Sequence, residues 1–307
     1  MSIIAIDLGG TRIKAGLIKD GQVENLTIKE ISTNEGLSDY LPVLHALIAD
    51  LHLRDQSATG IGIGFPGLVD TDKNTVIDTS GKYNDAPGID LVGWARDEFG
   101  LNLKIENDAR LACLGEWKYG AGKGYDNMVM CTLGTGIGSS AIIDGKILRG
   151  RHFQAGILGG HSIIEYRASQ EVCSCGKYGC VESLASNWAV RKMARQHPLF
   201  LTSSLSRGEK IDLASIFEKS EQGDELSVLL RDHCMSVWSV GLVNLIHAYD
   251  PEVVVVGGGI MHAKEIVLPY FEEQIKKRVW CPSGVPELRS ADYPDSAALL
   301  GATQLFE

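Results

Sequence analysis

Apolar residues near the N-terminus come in short runs broken by glycine turns. Ile3 to Ile6 reads as a strand that ends in Asp7-Leu8-Gly9-Gly10-Thr11. Ile13 to Ile18 reads as a returning strand, and Asp20-Gly21 is a hairpin turn signal. The arrangement comes back later in the chain. Asn127 to Thr132 is again a strand, followed by Leu133-Gly134-Thr135-Gly136-Ile137-Gly138, a strand over Ser139 to Ile143, and the turn Asp144-Gly145. A repeated hairpin of this kind predicts two related α/β halves.

Helical and strand patterns fill the rest. Leu41, Leu44, Leu47, Ile48 and Leu51 form a helical stripe within Leu37 to Leu53. Thr59 to Phe65 is a strand with alternating glycines, which permit close packing against a helix or a ligand. Ile89 to Phe99 reads as a helix and Leu103 to Glu106 as a short strand. A helix begins directly after Glu106-Asn107-Asp108. Val181 to Arg195 is expected to be one helix, Leu201 to Lys210 a surface loop, and Asp224 to Tyr249 a central core helix ended by Asp250-Pro251. Val253 to Val256 is a buried parallel-type strand. Glu265 to Val279 is helical with Pro269 near its first turn, Glu287 to Ser290 a strand, and Ala297 to Leu305 a terminal helix.

Composition narrows the class. The chain has 307 residues, 44% hydrophobic and 22% charged, which suits a globular protein of two domains. The formal net charge of -10 argues against a nucleic-acid surface, which needs clustered Lys and Arg. No apolar run approaches a membrane span, and the N-terminus lacks the basic region of a signal peptide. Seven cysteines, an odd count, fit a reducing cytoplasm.

Four features carry candidate chemistry. His161, Cys173, Cys175 and Cys180 supply a Cys3His set, with Gly176 and Gly179 allowing the loop to turn about an ion; this spacing points to a structural zinc. The two hairpin turns, Gly9-Gly10-Thr11 and Gly134-Thr135-Gly136, can aim N–H groups at phosphate, and Asp7 can hold magnesium directly or through water. Asp108 stands at a strand's C-terminal edge, where it can accept a proton from a substrate hydroxyl; helix capping by Asn107 and Asp108 explains the same residues. Gly257-Gly258-Gly259 either lets a flat ligand lie on bare backbone or makes a tight strand-to-helix connection.

Taken in order, Asp7-Leu8-Gly9-Gly10-Thr11, Glu106-Asn107-Asp108-Ala109, Leu133 to Gly138, Cys173-x-Cys175-Gly176-x-x-Gly179-Cys180-x-Glu182 and Gly257-Gly258-Gly259-Ile260 resemble the ROK family of sugar kinases and sugar-responsive repressors. The resemblance spans essentially the whole chain. It implies an α/β, two-domain actin-like ATPase (ribonuclease H-like) fold with an interdomain cleft, residues 1–117 plus 290–307 forming one domain and 118–289 the other. It implies a homodimer acting on a small-molecule sugar with ATP, Mg2+ and a structural Zn2+. Carried onto this chain, it makes Asp108 the catalytic base. Asn84, Asn107, Asp108, His161 and Glu182 become sugar contacts, with His161 also a zinc ligand. Asp7, Gly9, Gly10, Thr11, Gly134, Thr135, Gly136, Gly257 and Gly258 become the nucleotide side. Arg12 stands where many members carry Lys. The activity implied is transfer of the γ-phosphoryl of ATP to the primary hydroxyl, O6, of a hexose or hexose derivative.

Leu158 departs from the pattern. Family kinases acting on glucose carry Glu-x-Gly-His where this chain reads Leu158-Gly159-Gly160-His161. A leucine cannot accept from a ring hydroxyl, and an unpaired buried hydroxyl costs on the order of 1–3 kcal/mol. The alternative is therefore a catalytically weak sugar-binding or sensing protein. A repressor is disfavoured, because only six residues precede Asp7.

Overall fold

The computed structural model describes residues 2–32, 35–79, 81–169, 172–208 and 210–307. They group into two compact units: Met1–Gly124, Ile147–Ala155 and Asp295–Glu307 form one, Tyr125–Lys146 and Gly156–Pro294 the other.

In the first unit, β1 (Ser2–Leu8), β2 (Arg12–Lys19) and β3 (Gln22–Glu30) form an antiparallel meander. Asp20 and Gly21 both take positive φ, 50° and 74°, as the tight hairpin requires. Helix α1 (Leu37–Arg54) buries Leu37, Tyr40, Leu44, Leu47, Ile48 and Leu51, one stripe at helical spacing. Strand β4 (Ala58–Phe65) runs parallel to β1. A short hairpin, β5 (Leu68–Asp70) with β6 (Thr75–Asp78), leads to α2 (Leu91–Phe99). Strand β7 (Asn102–Asn107) then pairs parallel to β4, and α3 (Asp108–Tyr119) follows it directly. The sheet order is β3-β2-β1-β4-β7. The alternating glycines of β4 serve helix packing: a methyl on Gly62 would meet the Ala302 Cβ at 2.8 Å.

The second unit opens with β8 (Met128–Leu133), β9 (Ile137–Ile143) and β10 (Lys146–Ile147), whose last residue is counted with the first unit. Helices α4 (Val181–Ala185), α5 (Asn187–Gln196), α6 (Leu213–Glu221) and α7 (Glu225–Tyr249) follow. Strand β11 (Val253–Gly257), helix α8 (Lys264–Arg278) and strand β12 (Glu287–Ser290) complete it. Its sheet order is β10-β9-β8-β11-β12. Here β9 is antiparallel to β8, whereas β8, β11 and β12 are mutually parallel neighbours. Strand by strand this repeats the first sheet, so the hairpin repeat in the sequence reflects a repeated topology.

Several local expectations need correction. Val181 to Arg195 is two helices, because Ser186 takes extended backbone (φ -87°, ψ 167°) and caps α5. The break is supported from α7: Trp238 Nε1 donates to Ala185 O at 3.0 Å, and His233 Nε2 lies 3.0 Å from Leu184 O. Pro269 sits in the second turn of α8, on an exposed face. The stretch Leu201 to Lys210 is not all surface loop. It contains a 3-10 turn, Ser204–Arg207, with Leu205 buried; Glu209 lies outside the described residues. Strand β3 escaped the apolar pattern because it is an exposed, charged edge, and α6 fell in a stretch given no assignment. Among the described residues no helix is long and apolar enough to cross a membrane.

Candidate functional site

Strand register gathers the first group of residues. Asp7 pairs with Gly64, and Gly64 pairs with Glu106, across the C-terminal ends of three parallel strands. Open α/β sheets bind ligands at such edges. A methyl on Gly64 would stand 3.2 Å from Leu111 Cδ1 and 3.6 Å from both Asp7 Oδ1 and the Asp108 Cα, so the glycine lets the start of α3 lie close to Asp7.

The capping explanation holds for Asn107, and it leaves the Asp108 carboxylate at the strand edge. Asn107 caps α3, its Oδ1 accepting from Arg110 N at 3.1 Å. Its Nδ2 donates to Gly67 O at 3.0 Å and to Asp108 Oδ1 at 3.1 Å. Asp108 Oδ1 also accepts from Ala109 N at 2.8 Å. Every hydrogen bond the Asp108 carboxylate accepts from the described residues falls on Oδ1, which leaves Oδ2 for a ligand. Both Asp7 and Asp108 retain some accessible surface but are densely surrounded. Burial pushes the Asp7 carboxyl up to about 7, Asp108 adds to the rise, and Lys14 opposes it. Burial likewise raises Asp108, opposed first by Lys82 and then by the Ala109 N–H.

Glu106 is the buried anchor of this edge. It accepts from Arg110 Nη1 at 3.2 Å, from Arg149 Nε at 2.8 Å and from Asn107 N at 2.9 Å. Arg110 in turn donates to the carbonyls of Leu148 (3.1 Å), Phe153 (2.8 Å) and Ala155 (2.9 Å). The segment 147–155 is thereby fixed to the base of α3.

The first glycine turn closes with Gly9 N donating to Arg12 O at 2.8 Å. Tyr83 OH donates to Gly9 O at 2.9 Å, which joins the loop bearing Asn84 to this turn. Asn84 is exposed; its Oδ1 accepts from Thr79 Oγ1 at 3.1 Å, and its Nδ2 remains available.

The second unit carries the other group. Gly134 N donates to Gly136 O at 3.1 Å, and Asn187 N to Gly134 O at 3.2 Å. Gly258, at φ 88°, packs so tightly on the backbone of Leu133 that a side chain there would collide with the Leu133 carbonyl oxygen. This brings Gly257 and Gly258 beside the Gly134–Gly136 turn through a tight strand-to-helix connection. Glu182 Oε2 accepts from Ile137 N at 3.1 Å, and Oε1 from Ser174 Oγ at 2.6 Å. Each carboxylate oxygen keeps a second acceptor site.

His161, Cys173, Cys175 and Cys180 come together, one ligand atom from each lying within 4.8 Å of all the others. Cys173 Sγ is 3.5 Å from His161 Nδ1, and Cys175 Sγ is 3.7 Å from Cys180 Sγ. Leu158 stands at the start of the 3-10 turn Gly159–His161 and is 44% exposed, an apolar side chain offered to solvent or ligand.

The ROK family model matches residues 3–307. The chain belongs to the ROK family. It is 30% identical to a glucokinase from Thermotoga maritima over 315 residues, covering 100% of this chain and 98% of that one. A ROK family glucokinase from Streptomyces griseus, solved with glucose and AMPPNP, superposes with a TM-score of 0.84 at 28% identity, covering 99% of each chain. A ROK family transcriptional regulator homologous to the E. coli MLC protein superposes at 0.82 with 26% identity, covering 99% of this chain and 77% of that one. The two α/β units thus have the actin-like ATPase fold of ROK kinases, as the motifs implied.

Sequence reasoning quoted Glu106 only as part of a motif of this ROK chain and gave no role to Lys82, Tyr83 or Arg110, which the structure puts at the candidate site. The Glu106-x-x-x-Arg110 spacing, one helical turn across the Asn107-Asp108 cap, was a readable signal for a buried pair. Nothing in sequence marks Lys82 or Tyr83, whose position depends on backbone turns at Gly81 and at Tyr83 itself.

Proposed function

We propose that the protein is an ATP-dependent sugar kinase that transfers the γ-phosphoryl of ATP to O6 of a hexose or hexose derivative, with Asp108 as general base. The observation that carries this is the Asp108 carboxylate. One oxygen is fixed by Asn107 and Ala109, the other accepts no hydrogen bond from the described residues, and the group stands at the strand edge near Asp7. That is the arrangement a base needs to take a hydroxyl proton as the oxygen attacks phosphorus in line. Family membership and the glucose- and AMPPNP-bound neighbour supply the substrate classes.

In this reading Gly9, Gly10, Thr11, Gly134, Thr135 and Gly136 bind the nucleotide phosphates, with Gly257 and Gly258 on the nucleoside side. Asp7 is the residue that would hold Mg2+, directly or through water. A dication fits there because burial and Asp108 make a lone Asp7 anion unfavourable. The ion would neutralise charge on the β,γ-phosphates. Asn84, Asn107, Asp108, His161 and Glu182 contact the sugar.

The Cys3His cluster fits structural zinc. Tetrahedral coordination with Zn–S near 2.3 Å and Zn–N near 2.05 Å sets S···S at about 3.8 Å and S···N at about 3.6 Å. Two of the cluster's six separations, 3.7 Å and 3.5 Å, agree, and all six lie within 4.8 Å. Since His161 Nδ1 faces the cysteines, Nε2 is left for a sugar hydroxyl. The zinc's part is to hold the loop that carries His161 and Glu182. The chain is further proposed to work in the cytoplasm as a homodimer, with no nucleic-acid partner.

Leu158 favours a second reading, a sugar binder with weak or no turnover. Coupled ATP turnover across a sugar panel, with direct sugar binding alongside, separates the two. Replacing Asp108 with Ala is expected to abolish turnover by several orders of magnitude while sugar binding persists. A near-wild-type rate in that variant would refute the assignment. A sugar that binds yet never stimulates turnover would establish the second reading.

A further inference from the structure

Three cations lie around the first glycine turn, and two of them have acidic partners. Arg12, which stands where many family members carry Lys, lies 3.7 Å from Glu30 on β3, with both side chains largely exposed. Lys14 Nζ donates to Asp295 O at 2.6 Å and lies 3.4 Å from the Asp295 carboxylate. Lys82 is the third. Its ammonium has no hydrogen-bond or ion-pair partner among the described residues.

The Lys82 side chain lies over the bare backbone of the turn. A methyl on Gly10 would stand 3.1 Å from Lys82 Nζ and 3.0 Å from its Cε. The same charge acts on Asp108, where it is the largest influence favouring the ionised carboxylate. One cation therefore addresses both a phosphate-type turn and the proposed base.

This placement is built rather than incidental. Gly81 and Tyr83, on either side of Lys82, have φ of 81° and 54°. A left-handed tyrosine is costly and persists only where its surroundings hold it. Here the Tyr83 hydroxyl is bonded to Gly9 O, and its ring packs against Phe65 and Tyr40 with centroids 5.9 Å apart in each case. The strained loop is pinned to the turn that Lys82 covers. A solvated surface lysine would require none of this.

We infer that Lys82 is a catalytic residue whose ammonium binds the terminal phosphoryl group of ATP beside Gly10 and stabilises its charge during transfer. The inference rests on the kinase reading above. As the acceptor oxygen bonds to the γ-phosphorus, the bond to the β,γ-bridging oxygen breaks and ADP leaves with that electron pair. The acceptor's proton goes to the Asp108 carboxylate, and Lys82 keeps its own protons throughout. Its work is electrostatic.

The test is calorimetric titration of Mg·ATP and Mg·ADP into wild type, Lys82→Met and Lys82→Arg. Lys82→Met should lose about tenfold or more in affinity for ATP and less than about threefold for ADP, with Lys82→Arg restoring most of the difference. With any sugar that supports turnover, Lys82→Met should lower kcat by roughly 10²- to 10³-fold and leave sugar KM nearly unchanged. Equal losses for ATP and ADP, or no loss for either, would overturn the inference. A wild type that binds neither nucleotide overturns it together with the kinase reading. A wild type that binds both but phosphorylates no sugar overturns the kinase reading and with it the part of Lys82 in transfer, and the ATP-against-ADP contrast then decides only whether Lys82 binds the terminal phosphoryl group.

Discussion

Glu182 accepts a hydrogen bond from the Ile137 backbone N–H at 3.1 Å. Its other oxygen accepts from Ser174, the residue between Cys173 and Cys175. One carboxylate therefore ties the cysteine loop to the Gly134–Gly136 turn, while standing where the family motif places a sugar contact. Glu182→Ala should raise KM for nucleotide as well as for sugar, each by about tenfold, since bonds to a charged group contribute about 1.5–3 kcal/mol. Initial-rate kinetics with both substrates varied measures this. A change confined to the sugar would show that Glu182 does not position the turn.

The metal makes a separate prediction. Elemental analysis should find one zinc per chain. Cys175→Ser, which alters the exposed ligand and spares the buried ones, should release it. Burial and neighbouring thiols raise the Cys180 thiol, so binding a cation there must displace protons, and metal affinity should fall as pH falls. Loss of metal should lower the melting temperature and weaken sugar binding, because the same loop carries His161 and Glu182. A metal-free protein of unchanged melting temperature would remove the structural role.

Arg110 and Glu106 are both fully buried, and Arg149 completes the group. Removing one member of a buried pair leaves an uncompensated charge and costs about 3–5 kcal/mol. Arg110→Met, which also strands three carbonyls of 147–155, should reach that range in urea unfolding. Glu106→Gln keeps an acceptor and should cost less, yet still lower kcat, since Asn107 N is held by Glu106 Oε1 at 2.9 Å next to the proposed base. A stability loss with no kinetic effect would confine Glu106 to folding.

The parts of this molecule that were legible in sequence are those set by local pattern. The apolar runs of β1, β2, β8 and β11 announced themselves, as did the two glycine turns, the Asn107 cap and the Cys3His spacing. What was not legible depended on distant partners. The break at Ser186 rests on Trp238 and His233 reaching across from α7 to take the carbonyls of α4. Strand β3 is held by pairing with β2 and has no buried face of its own to show as alternation. Lys82 reaches the first turn only through a tertiary bond from its neighbour Tyr83. The nearness of Glu30 to Arg12 could be seen only once β3 had been placed. Residue types at a site can be read from motifs, but which cation is free to act depends on the pairings that the fold has already made.

The last prediction concerns Asp224, which caps α7 and gathers the preceding 3-10 turn. Its carboxylate accepts from Ser203 Oγ, Ser204 N and Oγ, and Ser227 N and Oγ, at 2.7 to 3.0 Å. Burial pushes its carboxyl up, but these donors together outweigh burial and hold it well below the ordinary carboxylate range. A carboxyl depressed in the folded state contributes stability above its unfolded pKa, near 3.9, and loses it as pH falls toward the folded value. Asp224→Asn can keep the bonds to one oxygen but not the charge, so it should be less stable than wild type at neutral pH by about 1–2 kcal/mol, the range for a lost helix cap. Because the asparagine does not titrate, the gap should close below about pH 4. Urea unfolding of both proteins from pH 7 down to 3 measures it. A gap that stays constant across that range would mean the capping charge does not contribute.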